Sequence, residues 1–157
     1  MRGRAAAVAL TAAFALSACG GGDGNGNGNG GDDAASPPDL SARGAFIPEP
    51  ATADLAAAFL TVENAGGTDD ALTSVTSDIA GTVEIHETVD NAMRQVDALP
   101  VPAGGELDLA RGGNHVMLMD LTSQPVEGDT VTLELHFETS DPIALDVPVE
   151  SATHTGE

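Results

Sequence analysis

The sequence predicts an all-β protein whose folded part, residues 45–150, is an antiparallel β-sandwich. One observation is an alternation, because residues 131, 133, 135 and 137 are apolar and the residues between them are polar. A period of two is typical of a strand with one buried face. A second observation is that Gly, Asp and Pro turn signals separate this run from several similar ones. Short strands at such regular intervals indicate a sandwich.

The predicted strands follow one another with hardly any helical pattern between them. Besides residues 131–137, the runs with strand character are 59–63, 72–76, 83–88, 106–109, 115–121 and 143–149. Residues 51–60 are rich in alanine and could instead form a helical turn, so the start of the first strand stays open. The folded part is long enough for one aliphatic core.

The N-terminus has the pattern of a lipoprotein signal peptide. Arg2 and Arg4 precede an apolar run over residues 5–16, which is shorter than the roughly 20 residues of a spanning helix. The sequence Leu-Ser-Ala-Cys, ending at Cys19, then forms a lipobox. We expect residues 1–18 to be removed and Cys19 to carry lipid, which places the protein in the periplasm or on the outer face of the cell membrane. The alternative is an ordinary secretory signal with an incidental cysteine.

The rest of the chain divides into three parts. Residues 19–44 begin with the lipidated Cys19 and continue as a tether rich in Gly, Asn and Asp, which has no apolar period and is expected to be flexible. Residues 45–150 form the domain, and residues 151–157 form a polar tail. Because Cys19 is the only cysteine, no intrachain disulfide is possible and no other thiolate can bind a metal.

The charge of the chain excludes some partners. Its formal net charge is −20, and after removal of residues 1–18 three arginines stand against 25 acidic residues, a net charge of −22. Nucleic acids and anionic lipid headgroups are bound by clustered Lys and Arg, so neither is an expected partner. The acidic surface by itself indicates solubility rather than a function.

Methionine and histidine concentrate in one predicted strand. His115, Met117 and Met119 share one face of residues 115–119, because side chains alternate along a strand, and the other face is aliphatic. A thioether sulfur is a soft donor that suits Cu(I), and imidazole binds copper in either oxidation state. From this segment alone, a Cu(I) site and a set of flexible core-filling methionines are equally good interpretations.

A second histidine and methionine favour the metal site. His86 lies near the end of the predicted strand over residues 83–88, and Met93 follows after a short turn. A hairpin would bring these two side chains close together. Two histidines and two methionines from two strand pairs can then converge on one ion.

The spacing of these residues resembles a known signature. His86, then Met93, twenty-one intervening residues, then His115, one residue and Met117 is similar to the His…Met-x21-His-x-Met signature of the PCu(A)C family of periplasmic copper chaperones. Further segments carry the resemblance: residues 60–64, 83–88, 101–105, 112–119 and 127–131. Together they cover nearly all of residues 45–149.

The resemblance implies a cupredoxin-like β-sandwich with Greek-key connections that holds one Cu(I) near its surface. The implied ligands are His86, Met93, His115 and Met117. It also implies delivery of copper to the binuclear copper centre of cytochrome c oxidase, often alongside a second, thiol-bearing chaperone. No catalytic role is implied.

One segment departs from the family pattern. Only six residues separate His86 from Met93, whereas family members usually have a longer segment there. If Met93 does not reach the ion, Met119 or a carboxylate such as Glu87 would complete the site. An oxygen donor would raise the relative affinity for Cu(II).

Other function classes fit the sequence less well. A blue-copper protein needs a cysteine ligand in the domain, and neither a G-x-S-x-G nor an H-E-x-x-H motif is present for hydrolysis. A lipid-anchored interaction module with a degraded metal site, or a copper storage or tolerance protein, remains as the alternative. We expect His136 to face solvent and His154 to lie in a disordered tail.

Overall fold

The structure, a computed structural model, describes residues 35–156. The predicted signal peptide, Cys19 and most of the predicted tether lie outside the described residues. The described part is all-β, as predicted, and contains no helix that is long and apolar enough to span a membrane. Its ten strands are β1 Leu40–Pro48, β2 Leu55–Asn64, β3 Asp70–Ser77, β4 Ala80–Val89, β5 Ala92–Gln95, β6 Leu99–Val101, β7 Glu106–Leu109, β8 His115–Leu121, β9 Thr130–Phe137 and β10 Ile143–Glu150.

The strands form a cupredoxin-like sandwich in which β1 links the two layers. Hydrogen bonding follows the order β5-β4-β8-β2-β1-β10-β9-β3-β6, and β7 also pairs with β2. Strand β1 pairs antiparallel with β2 up to Phe46, and Ile47 and Pro48 then pair parallel with β10. The register shifts between Arg43 and Phe46, around Gly44 with φ +62°. This bulge lets one strand pass from one layer to the other.

Strands β7 and β8 pair in succession along one edge of β2. Leu109 lies opposite Leu60, and Val116 lies opposite Ala58, with both pairings antiparallel. Residues 110–114 lie between these two ladders and form a loop that leaves the sheet. The loop ends at His115, the first residue of β8.

The core fills the space between the layers. In the layer that contains β2, β4 and β8, alternate side chains are buried: Ala56, Ala58, Ile85, Val116 and Leu118. Their chain neighbours point to the other face of the same layer, because successive side chains of a strand lie on opposite faces. That outer face carries the predicted metal ligands.

Several predicted boundaries were wrong. The fold begins at Leu40, five residues before the predicted start. The alanine-rich segment, for which the sequence left strand and helical turn open, is strand from Leu55. Strands β1, β5 and β6 are not among the predicted runs. The expectation of disorder at His154 was also wrong, because its ring packs edge-on against Phe46 with centroids 4.7 Å apart.

Candidate metal centre

Pairing of β4 with β8 places the two predicted histidine ligands opposite each other. His86 is the register partner of His115, and Glu84 is the partner of Met117. All four side chains lie on the face away from the core, since Ile85 and Val116 between them are buried. A histidine pair and a methionine therefore meet on one face of two neighbouring strands.

A tight hairpin adds Met93 to the same face. The turn between β4 and β5 consists of Asp90 and Asn91, with φ of 51° and 64°, which is the conformation of a type I′ turn. Met93 pairs with Thr88, which lies two residues after His86 on the same face of β4. Met93 therefore lies diagonal to His86 across the hairpin. Its side chain is 62% exposed. The short hairpin thus places Met93 at the rim of the site.

The two imidazole rings are close enough to share one ion. Their centroids are 5.5 Å apart and their planes are tilted by 36°. A transition metal lies about 2 Å from an imidazole nitrogen, so this ring separation is compatible with one ion bound by both histidines. His115 is only 6% exposed, which shields that position from competing water.

Hydrogen bonding assigns the free nitrogen of His115. Its Nδ1 lies 3.0 Å from the carbonyl oxygen of Gly113, and the Thr88 hydroxyl donates to the same oxygen at 2.9 Å. A carbonyl only accepts, so the proton of the neutral ring is assigned to Nδ1. Nε2 has no hydrogen-bond partner within residues 35–156 and keeps its lone pair for a metal.

His86 has the opposite arrangement. Its Nε2 lies 2.9 Å from a carboxylate oxygen of Glu84, which assigns the ring proton to Nε2. The other nitrogen, Nδ1, is fully buried and has no hydrogen-bond partner in the described part of the chain. A buried polar atom without a partner costs about 1–3 kcal/mol. Coordination of an ion would satisfy this atom.

The loop over residues 110–114 fixes the Gly113 carbonyl. Gly112 has φ +79°, a left-handed conformation that other residues rarely adopt. The Gly113 amide donates to the Ala110 carbonyl at 2.9 Å, which closes the turn. The loop therefore sets the orientation of His115 through its own backbone.

An open groove of about 350 Å³ gives access to the site. Most of its lining side chains are apolar: Leu55, Ala57, Phe59, Met93 and Met117. Gly112, His115 and one cation, Arg111, complete the lining. The Arg111 guanidinium lies 5.5 Å from the centre of the Phe59 ring and donates to the Ala152 carbonyl at 3.1 Å. An incoming group can thus approach His115 and Met117 along a mostly apolar path.

Other candidate residues lie farther from the histidine pair. Glu87 is on the opposite face of β4 from His86 and forms an ion pair with Arg94. Met119 shares the face of Met117 but pairs with Thr82, which is four residues from His86 along β4. Of the two proposed alternatives to Met93, Glu87 is thus on the wrong face.

The remaining histidines are elsewhere. His136 is on β9 in the other layer, with Nε2 3.4 Å from a carboxylate oxygen of Glu134, and its side chain is 33% exposed, in agreement with its predicted outward-facing position. His154 packs on Phe46 in the tail. Within the described residues, neither is paired with another histidine.

Sequence reasoning missed Glu84 and Arg111 as components of the site. A signal for Glu84 was present, because a residue two positions before His86 shares its strand face. No sequence pattern pointed to Arg111, since its position depends on how the loop over residues 110–114 leaves the sheet.

Comparisons with known proteins agree with this architecture. Residues 40–149 match the family described as "Putative lipoprotein LpqE-like". The curated relative "Putative lipoprotein Lxx21020" of Leifsonia xyli subsp. xyli is 31% identical over 108 residues, which span 66% of this chain and 65% of the relative.

Solved structures of similar fold include several PCuAC domains. The apo PmoF2 PCuAC domain has a TM-score of 0.65 at 22% identity and covers 77% of this chain and 98% of its own. The copper-bound PCuAC domain from PmoF2 has a TM-score of 0.64 at 23% identity, with coverages of 74% and 97%. The CuI-DR1885 structure from Deinococcus radiodurans has a TM-score of 0.62 at 25% identity, with coverages of 80% and 85%. The family match and the shared fold together show that the chain belongs to the LpqE-like family and has a PCuAC-type domain.

Proposed function

We propose that the protein is a copper chaperone that binds one Cu(I) through His86, Met93, His115 and Met117 and releases it to an acceptor outside the cell membrane. The observation that carries the proposal is the histidine pair. Each ring has one nitrogen held by a protein acceptor, and the other nitrogen has no hydrogen-bond partner among the described residues. This is the usual arrangement of metal-binding histidines, whose second nitrogen is oriented by a carboxylate or carbonyl.

The donor set favours Cu(I). Met117 is the direct neighbour of His115 on the site face, and Met93 lines the same groove. Neutral thioether sulfurs stabilise the soft monovalent ion and bind Mg²⁺ or Ca²⁺ poorly. The copper-bound PmoF2 domain and CuI-DR1885 support the choice of metal, because both are domains of this fold solved with copper.

The exposure of the site supports transfer rather than permanent storage. Met93 is 62% exposed and the groove beside it is open, so a ligand from an acceptor can reach the ion while the more deeply buried histidines still hold it. When an acceptor ligand replaces the thioether ligands one at a time, the barrier to transfer of the copper ion is lower. Storage proteins benefit from the opposite arrangement, a closed site.

The location and the acceptor complete the proposal. Membership in a lipoprotein family supports lipid attachment at Cys19 and an extracytoplasmic position. For the acceptor we propose the copper subunit of cytochrome c oxidase, with a thiol-bearing chaperone as a second partner, as the family resemblance implies. Deletion of the gene should then reduce oxidase activity at limiting copper. Normal oxidase activity combined with copper sensitivity would instead indicate a tolerance role.

Anaerobic titration against a chromophoric Cu(I) chelator tests the binding step. The purified protein should bind one Cu(I), and replacing His115 with Ala or Met117 with Leu should weaken binding by about tenfold or more. His136→Ala is the matched control, because it removes a partly exposed histidine from the other layer. If the protein binds no tighter than micromolar, or if the His115 and Met117 variants bind like the control, the chaperone role is wrong and an interaction module becomes the better interpretation.

A further inference from the structure

We propose that Glu84 is a positioning residue of the copper site, whose carboxylate holds His86 so that this ring binds the ion through Nδ1 while His115 binds it through Nε2. The inference rests on the proposed function, because it concerns how that same site is oriented. It adds a residue that contributes no ligand, and it predicts that the two histidines use different nitrogens.

The geometry places Glu84 within reach of the site. Glu84 and His86 are two residues apart on β4, and their side chains are 26% and 15% exposed. The carboxylate lies 2.9 Å from Nε2 of the ring. Because Glu84 is also the register partner of Met117, it lies on the same outer face of the layer as His86 and Met117.

The hydrogen bond decides which nitrogen faces the ion. A neutral imidazole has one proton, and an ionised carboxylate can only accept, so the proton lies on Nε2. The lone pair is then on Nδ1, the buried atom that has no hydrogen-bond partner in residues 35–156. A half-turn of the ring about its Cβ–Cγ bond would break the bond to Glu84, so the carboxylate holds the ring orientation as well as the tautomer.

The charge of Glu84 has a second effect. Two neutral imidazoles and two thioethers leave the full charge of Cu(I) on the site, and a partly buried ion is stabilised by a nearby opposite charge. Glu84 is the carboxylate that faces His86 across a hydrogen bond, whereas Glu87 is on the other face of the strand and forms an ion pair with Arg94. Glu84 thus compensates the ion without providing an oxygen ligand.

Two variants separate the hydrogen bond from the charge. Glu84→Ala removes both, and we expect a fall in Cu(I) affinity of about 10- to 100-fold, the usual effect of losing a residue that orients a ligand. Glu84→Gln removes the charge but keeps an amide oxygen that accepts from Nε2–H, and we expect it to recover a large part of the loss. Affinity in Glu84→Gln as low as in Glu84→Ala would overturn the positioning role.

The chain offers a matched control. Glu134 and His136 have the same two-residue spacing on β9, with a carboxylate oxygen 3.4 Å from Nε2. Glu134→Ala should leave Cu(I) affinity unchanged, because this pair is far from the proposed ligands. A general loss of negative charge would instead lower the affinity in both alanine variants equally, and that result would also overturn the positioning role.

Long-range ¹H–¹⁵N correlation spectra of the histidine rings show directly which nitrogen of each ring carries the proton and which binds the ion. In mildly alkaline buffer, His86 of the metal-free protein should show a protonated Nε2 and His115 a protonated Nδ1. Addition of Cu(I) should shift His86 Nδ1 and His115 Nε2 and leave the protonated nitrogens in place. Coordination of His86 through Nε2 in the wild type would refute the inference. If the wild type binds no Cu(I) in the same titration, the proposed function itself fails, so the two failures are distinguishable.

Discussion

The ionised Asp70 carboxylate should contribute to the free energy of unfolding, and its protonation at low pH should remove this contribution. This residue begins β3 and is 5% exposed. Its carboxylate accepts hydrogen bonds from the amides of Ala71 at 2.8 Å, Thr139 at 3.0 Å and Ser140 at 3.0 Å, and from the Ser140 hydroxyl at 2.5 Å. It therefore ties the start of β3 to the turn between β9 and β10.

The magnitude follows from the pKa of Asp70. Burial alone raises the pKa of this carboxyl, but the hydrogen bonds from Ser140, Ala71 and Thr139 outweigh burial and lower it from 3.8 to about 2. At about 1.4 kcal/mol per tenfold change, this difference corresponds to about 2 kcal/mol. Because the folded-state pKa is the lower one, this stability is present above pH 3.8 and is lost as the pH falls through 2.

Urea unfolding followed by far-ultraviolet circular dichroism measures this effect, since the chain has no Trp or Tyr for fluorescence. Asp70→Asn should be less stable than the wild type by about 2 kcal/mol near neutral pH, and the difference should shrink as the pH approaches 2. Asp141→Asn, an exposed neighbour, is the control for the general effect of removing one negative charge. A difference between wild type and Asp70→Asn that stays constant across this pH range would refute the reasoning.

Four further substitutions have defined outcomes. Asn64 is 1% exposed, and its side chain forms hydrogen bonds with four backbone groups. Asn64→Ala should therefore lower the free energy of unfolding by about 2–4 kcal/mol. A loss below about 1 kcal/mol in a urea titration would show that these hydrogen bonds do not stabilise the fold as expected. Gly112→Ala should cost about 1–2 kcal/mol because φ is +79° there, and it should also weaken Cu(I) binding through the displaced loop; unchanged stability and affinity would contradict both effects. Met93→Leu should lower Cu(I) affinity several-fold whereas Met119→Leu should not, and the reverse result in a chelator competition would make Met119 the fourth ligand.

Strong alternation was enough to predict most of the sandwich. Residues 131–137 alternate strictly, and β9 has the matching pattern of buried and partly or fully exposed side chains. Strand β5 escaped prediction because all four of its residues are exposed, so it has no apolar period to detect. Strand β6 has three residues with Pro100 in the middle, which is too short for a pattern.

The missed start of the fold has a different cause. Strand β1 changes partner from β2 to β10 at a bulge, so its buried face changes partway along the strand. A period-two pattern cannot persist across such a change. The alanines of β2 were ambiguous because alanine favours helices in isolation. Pairing with β8 and burial in the core make Ala56 and Ala58 part of a sheet.

The sequence was enough to predict which of the candidate ligands share a strand face. Alternation correctly places His115 and Met117 on one face, and the histidines meet because β4 pairs with β8. That pairing joins strands far apart in the chain, so local pattern alone could not establish the register that sets His86 opposite His115. The free nitrogens also lay beyond sequence reasoning, because they depend on the positions of Glu84 and the Gly113 carbonyl.

Copper K-edge X-ray absorption of the purified protein, loaded anaerobically with one equivalent of Cu(I), tests the central claim most directly. A site built from His86, His115 and methionine sulfurs predicts an edge typical of Cu(I), with both nitrogen and sulfur atoms as nearest neighbours of the metal and imidazole scattering beyond them. Replacing Met93 and Met117 together with leucine should remove the sulfur contribution. Copper surrounded only by nitrogen or oxygen in the wild type, or copper lost on desalting, would contradict the proposed site.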